Sequence, residues 1–191
     1  MGKIILGSSS PRRADILKKM NVDFEVIPSS YVEQHDKTDF SYEFVEKLAY
    51  NKALYVAKGL QNRGEWFLVL GADTIVVVED KILGKPSDKQ EAYSMLKTLS
   101  GRTHFVVTAV ALINSKDLEY KIESCTTYVT FQDLTDEQIN FYIDNFKPYD
   151  KAGAYGIQEL PNGYVKEVKG DLDNVIGLPS KTVKKLLNEM Q

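Results

Sequence analysis

The sequence has few residues of the kinds that build disulfides, zinc sites or membrane spans. One cysteine, Cys125, and two histidines, His35 and His104, occur among its 191 residues. A single thiol excludes an intramolecular disulfide, and the histidines lack partners at metal-ligand spacing, so both are interpreted as structural or surface residues. No apolar run approaches bilayer-spanning length, and the chain turns polar after Leu6, too early for a signal peptide. These absences predict a soluble, cytoplasmic protein without a membrane partner.

The sequence also lacks a large excess of charge of either sign. It has 24 basic and 27 acidic side chains, a formal net charge of -3. Without a positive field over the whole molecule, no nucleic-acid partner is expected, and any anion-binding site must be local. Hydrophobic residues make up 43% of the chain, which is typical of folded globular proteins. The sequence contains no repeat or linker, so we expect one domain over residues 1–191.

Short apolar runs alternate with amphipathic segments, which predicts an α/β protein. Strands are predicted at 3–7, 24–27, 66–71, 74–79, 105–113, 122–131 and 164–168. Helices are predicted at 11–20, 41–59, 87–99, 135–145 and 180–190. The third and fourth of these begin with capping-box sequences, Ser87 to Gln90 and Thr135 to Gln138. A bend is expected at Gly71-Ala72-Asp73, between the third and fourth strands. The adjacent long strands after residue 100 indicate a mixed β-sheet flanked by helices.

Ser8-Ser9-Ser10-Pro11-Arg12-Arg13 is a serine-rich loop that leads directly into a helix. Backbone N–H groups and the positive end of the helix dipole favour anions at such a place. The hydroxyl and guanidinium groups add donors that suit phosphate, so the segment is a candidate phosphate-binding loop. It is not a Walker motif, and a capped helix with solvated arginines explains it equally well.

Lys52 and Asp73 are charged residues in apolar surroundings. Lys52 falls in the middle of an apolar helical stripe, where its charge needs a partner unless the side chain bends out to solvent. Asp73 follows an apolar run that is predicted to be an inner strand. A carboxylate at the end of such a strand can bind a metal ion or take a proton from water. Turn aspartates between strands are also common, which leaves a structural alternative open.

Three further positions carry weaker signals. Lys85 lies in the turn-like sequence Leu-Gly-Lys-Pro, and Glu33 lies in a polar, irregular segment where a solvated charge is the simpler interpretation. Residues 150–158, Asp-Lys-Ala-Gly-Ala-Tyr-Gly-Ile-Gln, combine small residues with the amide of Gln158. Glycines allow the backbone to pass close to a ligand, and an amide can pair with the edge of a base.

Taken in order, these segments resemble the Maf family of nucleoside triphosphate pyrophosphatases. The resemblance runs from Leu6 to Pro179. It rests on Ser-Ser-Ser-Pro-Arg-Arg, Gly-Ala-Asp-Thr, Leu-Gly-Lys-Pro, Leu-Ser-Gly-Arg-Thr-His, the 150–158 segment and the turn at 170–179. It implies an α/β fold similar to that of inosine triphosphate pyrophosphatases, with the nucleotide in a cleft between two lobes, and usually a homodimer.

The resemblance further implies hydrolysis of dTTP or UTP to the monophosphate and pyrophosphate, by metal-assisted attack of water on the α-phosphorus. The implied cofactor is a divalent cation, Mg²⁺, Mn²⁺ or Co²⁺. Asp73 matches the catalytic proton acceptor, and Glu33 and Asp73 match the metal positions. The positions that line the triphosphate are matched by Ser8, Arg13, Lys52 and Lys85. Those that set the base preference are matched by Arg12, Thr74 and Gln158.

The sequence departs from the family pattern at two places. Gly7 stands where alanine is usual, and Glu159-Leu160-Pro161-Asn162 replaces a glycine-richer stretch. The second departure bears on the mouth of the cleft and therefore on relative rates with dTTP, UTP and modified pyrimidine triphosphates.

A second hypothesis belongs to another class of function. The family is also tied to inhibition of septum formation, so the protein is alternatively a nucleotide-binding regulator of cell division. The carboxylate of Asp73 favours the enzyme, because a protein that only binds nucleotide has no need of a group that activates water.

Overall fold

The computed structural model describes residues 2–32, 39–61 and 63–190, and these ranges form a seven-stranded mixed sheet with helices on both faces. The strands are β1 Lys3–Leu6, β2 Phe24–Val26, β3 Phe67–Val78, β4 Lys81–Leu83, β5 Thr103–Asn114, β6 Tyr120–Phe131 and β7 Val165–Lys169. The helices are α1 Pro11–Lys19, α2 Tyr42–Leu60, α3 Lys89–Leu99, α4 Asp136–Phe146, α5 Leu172–Ile176 and α6 Ser180–Glu189. The predicted fold class is confirmed.

Local hydrogen bonds fix the starts of α3 and α4. Thr135 and Gln138 form the expected capping box at the start of α4. α3 begins at Lys89, two residues later than predicted, because Asp88 and not Ser87 is its N-cap. The Asp88 carboxylate accepts the backbone N–H of Glu91 at 2.8 Å. No described helix is long and apolar enough to cross a membrane.

The sheet has an opening beside the middle of β3. The strand order is β2-β1-β3-β5-β6-β7, and β4 pairs with β3 beyond the end of β1. β1 is parallel to residues 67–70 of β3, whereas β4 is antiparallel to residues 76–78. Among the strands that the structure describes, residues 71–75 of β3 therefore pair with β5 alone. Side chains of both faces can reach a ligand at this opening.

β3 is one continuous strand of 12 residues, so the predicted bend at Gly71-Ala72-Asp73 was wrong. Gly71 serves close packing instead of a turn. A Cβ atom at Gly71 would lie 2.6 Å from the carbonyl oxygen of Ala49 and 2.8 Å from the Cβ of Ala53, because α2 lies directly on the strand there. Asp73 consequently lies in mid-strand, beside the opening of the sheet, and not at a strand end.

The two faces of the sheet are covered differently. On one face, α2 packs on β3 and β5 in a single apolar cluster that includes Val45 and Val107. The opposite face carries two clusters. α1 and α6 cover the first, which includes Leu17 and Leu186, and α3 and α4 cover the second, which includes Leu96.

The boundary between the last two clusters is polar. On the face opposite α2, Ala72 belongs to the first cluster and Val76 to the second, and Thr74 lies between them. Thr108 is the cross-strand neighbour of Thr74, and their hydroxyl oxygens are 2.9 Å apart. Because side chains alternate along a strand, two hydrogen-bonded threonines lie where these two apolar clusters meet. This agrees with the predicted architecture of two lobes around a cleft.

Candidate active site

A cavity of about 550 Å³ lies at the opening of the sheet. Its wall includes Phe44 and Ile82 from the α2 side and Val76 and Val106 from the opposite face. Its polar lining comprises Ser10, Arg12, Arg13, Lys52, Asp73, Thr74, Lys85, Asp150, Lys151, Gln158 and Glu159. The volume lies in the range of about 300 to 1,000 Å³ that is common for small-molecule sites.

On the α2 side of the cavity, Lys52 and Asp73 form a buried ion pair. The Lys52 ammonium group donates to Asp73 Oδ1, and only 15% and 10% of the two side chains are exposed. Lys52 thereby has the partner that its place in an apolar stripe requires, since an unpaired buried charge is strongly destabilising. The close approach of α2 to Gly71 brings the lysine within reach of the carboxylate. The site thus holds an oriented carboxylate that can accept a proton.

On the opposite face, Arg13 joins three separate segments of the chain. Its Nε donates to the carbonyl oxygen of Gly177 at 2.9 Å, and its terminal nitrogens donate to Ser8 Oγ at 3.1 Å and to Thr74 Oγ1 at 3.2 Å. The guanidinium group therefore fixes the loop before α1 and the end of α5 against β3. Arg13 lies in the cavity wall, but these contacts give it a structural task besides the predicted one at the triphosphate.

Ser10 lines the cavity, whereas Ser8 of the same loop is not among the lining residues. The Ser8 hydroxyl accepts both the Arg13 contact and the backbone N–H of Ser10, at 3.2 Å. Both contacts use the hydroxyl oxygen as acceptor and leave its proton available, so the contact between Ser8 and phosphate stays a prediction. Ser8 stabilises the shape of the loop, and Ser10 is the serine of this loop that lines the cavity.

Sequence reasoning missed Asn174, which is fully buried and ties α5 to the sheet. Its Oδ1 accepts the backbone N–H of Thr108 at 3.0 Å, and its Nδ2 donates to Val106 O at 2.9 Å and to Thr127 Oγ1 at 3.0 Å. Satisfied polar networks of this kind are rigid. The signal in the sequence is the polar run at 170–174, which is equally typical of a connection between a strand and a helix.

Two glycines hold the 150–159 segment and the loop of Lys85 against each other. Gly153 has a φ of 66° and donates its N–H to the carbonyl oxygen of Gly84 at 3.0 Å. A Cβ atom at Gly153 would lie 2.9 Å from a methyl group of Val76, so the turn packs directly on β3. This contact keeps Lys85 at the rim of the cavity.

The structure brings most of the predicted site residues to one cavity. These are Arg12, Arg13, Lys52, Asp73, Thr74, Lys85 and Gln158. Glu33, the second predicted metal ligand, lies outside the described residues. The described part of the chain contains no group of three or more His, Cys, Asp or Glu residues that can hold a metal ion. Asp73 is the predicted metal ligand that the structure places in the cavity.

The sequence of residues 3–190 matches the family model described as Maf-like protein. The chain belongs to this family. The resemblance inferred from the order of the motifs is thereby confirmed.

Similar proteins in other organisms carry one shared name, dTTP/UTP pyrophosphatase. One from Thermoanaerobacter sp. (strain X514) is 46% identical over 177 residues, 93% of this chain and 91% of that protein. Another, from Acetivibrio thermocellus, is 45% identical over 99% of this chain and 96% of its own length. A third, from Halalkalibacterium halodurans, is 48% identical over 97% and 95%.

A solved structure was also found to be similar. It is a nucleoside-triphosphatase / dITP/XTP pyrophosphatase from Mycobacterium abscessus ATCC 19977 / DSM 44196. Sequence identity is 18% and the TM-score is 0.42, over 69% of this chain and 75% of that chain.

Proposed function

We propose that this chain is a nucleoside triphosphate pyrophosphatase that hydrolyses dTTP and UTP to the monophosphate and pyrophosphate. One observation carries the proposal: the buried carboxylate of Asp73 and several cationic side chains share a cavity at a break in the sheet. Its support from other proteins is the name of the family members described above, which match this chain along nearly its whole length.

The cations of the cavity suit a triphosphate, which carries about four negative charges and gains more on its leaving group as it reacts. Arg12 and Lys85 stand at the rim, and Lys52 lies deeper, beside Asp73. Because the fold already holds these groups in place, they need little rearrangement when charge develops. With a triphosphate bound in the cavity, the Lys52 ammonium group would lie between the Asp73 carboxylate and a phosphate oxygen of the substrate.

In the proposed reaction, Asp73 takes the proton from a water molecule as the water oxygen attacks the α-phosphorus. The bond between the α-phosphorus and the bridging oxygen breaks, and pyrophosphate leaves. The ion pair with Lys52 fixes the orientation of the carboxylate that accepts the proton. Attack at the α-phosphorus distinguishes this enzyme from a phosphatase, which releases inorganic phosphate.

We further propose that a divalent cation, Mg²⁺, Mn²⁺ or Co²⁺, is required. Mg²⁺ is usually bound by one or two carboxylates together with substrate phosphates, so a site with few protein ligands fits it. Asp73 would hold the cation, with Glu33 as the second ligand. When bound, it would neutralise charge on the phosphate oxygens.

Base preference is assigned to Arg12, Thr74 and Gln158. The Gln158 amide offers one donor and one acceptor, which match the O4 and N3–H edge of uracil and thymine. Thr74 is held at the floor of the cleft by Thr108 and Arg13.

We also propose that the protein is a homodimer in the cytoplasm, as the family resemblance implies. Light scattering after size-exclusion chromatography measures the oligomeric state.

The proposal is tested by incubating the purified protein with each nucleoside triphosphate and each metal in ¹⁸O-labelled water. We expect dTTP and UTP to give equal amounts of monophosphate and pyrophosphate, with the label in the monophosphate, and no turnover with chelator. Inorganic phosphate as the main product, or label in the pyrophosphate, would contradict attack at the α-phosphorus.

A further inference from the structure

Lys151 is a buried lysine in the cavity wall that the proposed reaction does not use. Only 8% of the residue is exposed, and its ammonium group lies between two carboxylates. Nζ donates to Asp150 Oδ1 at 2.7 Å and is 3.2 Å from Glu159 Oε2. Lysine is rarely buried unless its charge is paired, and here two carboxylates provide that pairing.

The first carboxylate connects Lys151 to Arg12. Asp150 accepts Lys151 with Oδ1 and accepts Nη1 of Arg12, at 3.3 Å, with Oδ2. Burial tends to raise the pKa of Asp150, but the hydrogen bonds from Lys151 and Arg12 more than offset this and keep the pKa below its usual value. An ionised carboxylate thus bridges the lysine and the arginine at the start of α1.

The second carboxylate connects Lys151 to the turn that carries Gln158. The Glu159 N–H donates to the carbonyl oxygen of Gly156 at 2.9 Å, which closes a turn with Gln158 inside it. The turn is anchored to α4, because the N–H of Gly156 donates to the Tyr142 hydroxyl at 3.0 Å. A Cβ atom at Gly156 would lie 2.9 Å from Cε of Lys151, so the lysine side chain packs directly against the turn.

Glu159 has one carboxylate oxygen that only this lysine approaches among the ion pairs of the described residues. Its Oε2 atom is buried and accepts no well-oriented hydrogen bond from those residues, and the ammonium group of Lys151 lies 3.2 Å from it. Removal of the lysine charge leaves this oxygen buried without a partner, although 37% of the Glu159 side chain is exposed. We expect the turn to shift until the oxygen reaches solvent, and Gln158 to move with it.

We propose that Lys151 is a positioning residue that holds Arg12 and Gln158 at a fixed spacing, through Asp150 and Glu159. The inference rests on the proposed function, in which these two residues select the base. A glutamine amide can present its donor and acceptor in either order after a half-turn, and the reversed order matches cytosine. Discrimination between uracil and cytosine therefore requires a turn that cannot shift.

The test is a mutant cycle that measures kcat and KM with UTP and with CTP for Lys151→Met, Gln158→Ala and the double variant. We expect Lys151→Met to lower the UTP-over-CTP ratio of kcat/KM by about tenfold, mainly through KM for UTP. In the Gln158→Ala background the same change should lower the ratio by less than about twofold, because the lysine acts through Gln158.

Two further variants separate positioning from stability. Lys97→Met breaks an exposed ion pair, 2.6 Å from Asp136, and should leave the ratio unchanged. Should Lys151→Met fail to fold, Glu159→Gln removes the partner charge at nearly constant volume and should lower the ratio in the same way.

Several outcomes would overturn the inference. They are an unchanged ratio in folded Lys151→Met or Glu159→Gln, an equal loss with and without Gln158, and an unchanged ratio in Gln158→Ala. In each case, pyrophosphate release by the parent protein would leave the proposed function standing. A parent protein that releases no pyrophosphate would overturn both.

Discussion

At the scale of single residues, the candidate site depends on charges that the fold has already paired. Lys52 and Asp73 neutralise each other inside the cavity wall, and Arg13 is engaged by three protein oxygens. Such groups keep their geometry without substrate, which is the condition for electrostatic catalysis. A substitution at one of them therefore has different consequences for binding and for chemistry.

Asp73→Asn should lower the single-turnover rate by about 10²- to 10⁴-fold, because the amide cannot take a proton from water at neutral pH. Nucleotide binding should persist, since the volume is nearly unchanged and the cationic side chains remain. The measurements are rapid-quench hydrolysis of dTTP and calorimetric titration with a non-hydrolysable dTTP analogue.

Lys85→Met is the matched comparison, because it removes a cation at the rim and leaves the carboxylate. It should weaken binding of the analogue more than Asp73→Asn does. A turnover rate within a few-fold of the parent for Asp73→Asn would show that Asp73 is not the proton acceptor.

At the scale of elements, the site depends on how closely α2 approaches β3. Gly71 lies under the helix where a Cβ atom would meet the backbone at Ala49 and Ala53. The same contact brings Lys52 to Asp73. The packing of α2 on Gly71 therefore also sets the position of Lys52 relative to Asp73, two residues further along the same face of β3.

Gly71→Ala should destabilise the protein by about 1 to 3 kcal/mol, because α2 must move away from the strand. It should also lower kcat, since the same shift separates Lys52 from Asp73. Urea denaturation and steady-state kinetics measure the two effects.

Gly59→Ala is the control for this substitution. Gly59 lies within α2, and among the described residues a Cβ atom there would have no neighbour within 4 Å beyond the backbone of its own helix. Alanine should therefore stabilise the protein by about 0.5 to 1 kcal/mol. Unchanged stability of Gly71→Ala relative to the parent would contradict the packing argument.

At the scale of the whole molecule, one buried group links stability to pH. His104 is 1% exposed, packs edge-on against Phe131 and Tyr155, and its Nε2 is 2.7 Å from the Tyr155 hydroxyl. Its Nδ1 forms no hydrogen bond with the described residues. Burial lowers the pKa of His104 from 6.5 to about 4, because the charged ring would lose water without gaining a second partner.

The free energy of unfolding should fall as the pH is lowered from about 6.5 to 4. The unfolded chain binds a proton on this histidine in that interval and the folded chain does not, so protonation favours the unfolded state. The contribution of His104 is on the order of 3 kcal/mol and is fully present above pH 6.5. Urea denaturation across this range measures it.

His104→Gln keeps a polar group beside Tyr155 but does not titrate. Its unfolding free energy should decline less steeply between pH 6.5 and 4 than that of the parent. Equal slopes for the two proteins would show that other groups cause the acid sensitivity.

The sequence by itself determined the order and type of most elements and the family. Amphipathic periodicity and capping residues are local signals, which is why the box at Thr135 and Gln138 correctly marked the start of α4. The order of the motifs likewise needs no structure. β4 and α5 carried no such signal, because each is shorter than the window over which periodicity is visible.

Only the tertiary structure decided which charges meet. That Gly71 packs under a helix, that Lys52 pairs with Asp73, and that Arg13 reaches Gly177 depend on contacts between distant segments of the chain. Strand register and helix placement set such contacts, and these follow from how all the apolar surfaces are buried together. A local pattern cannot contain that information, because the partner of a side chain is chosen by the packing of the whole sheet.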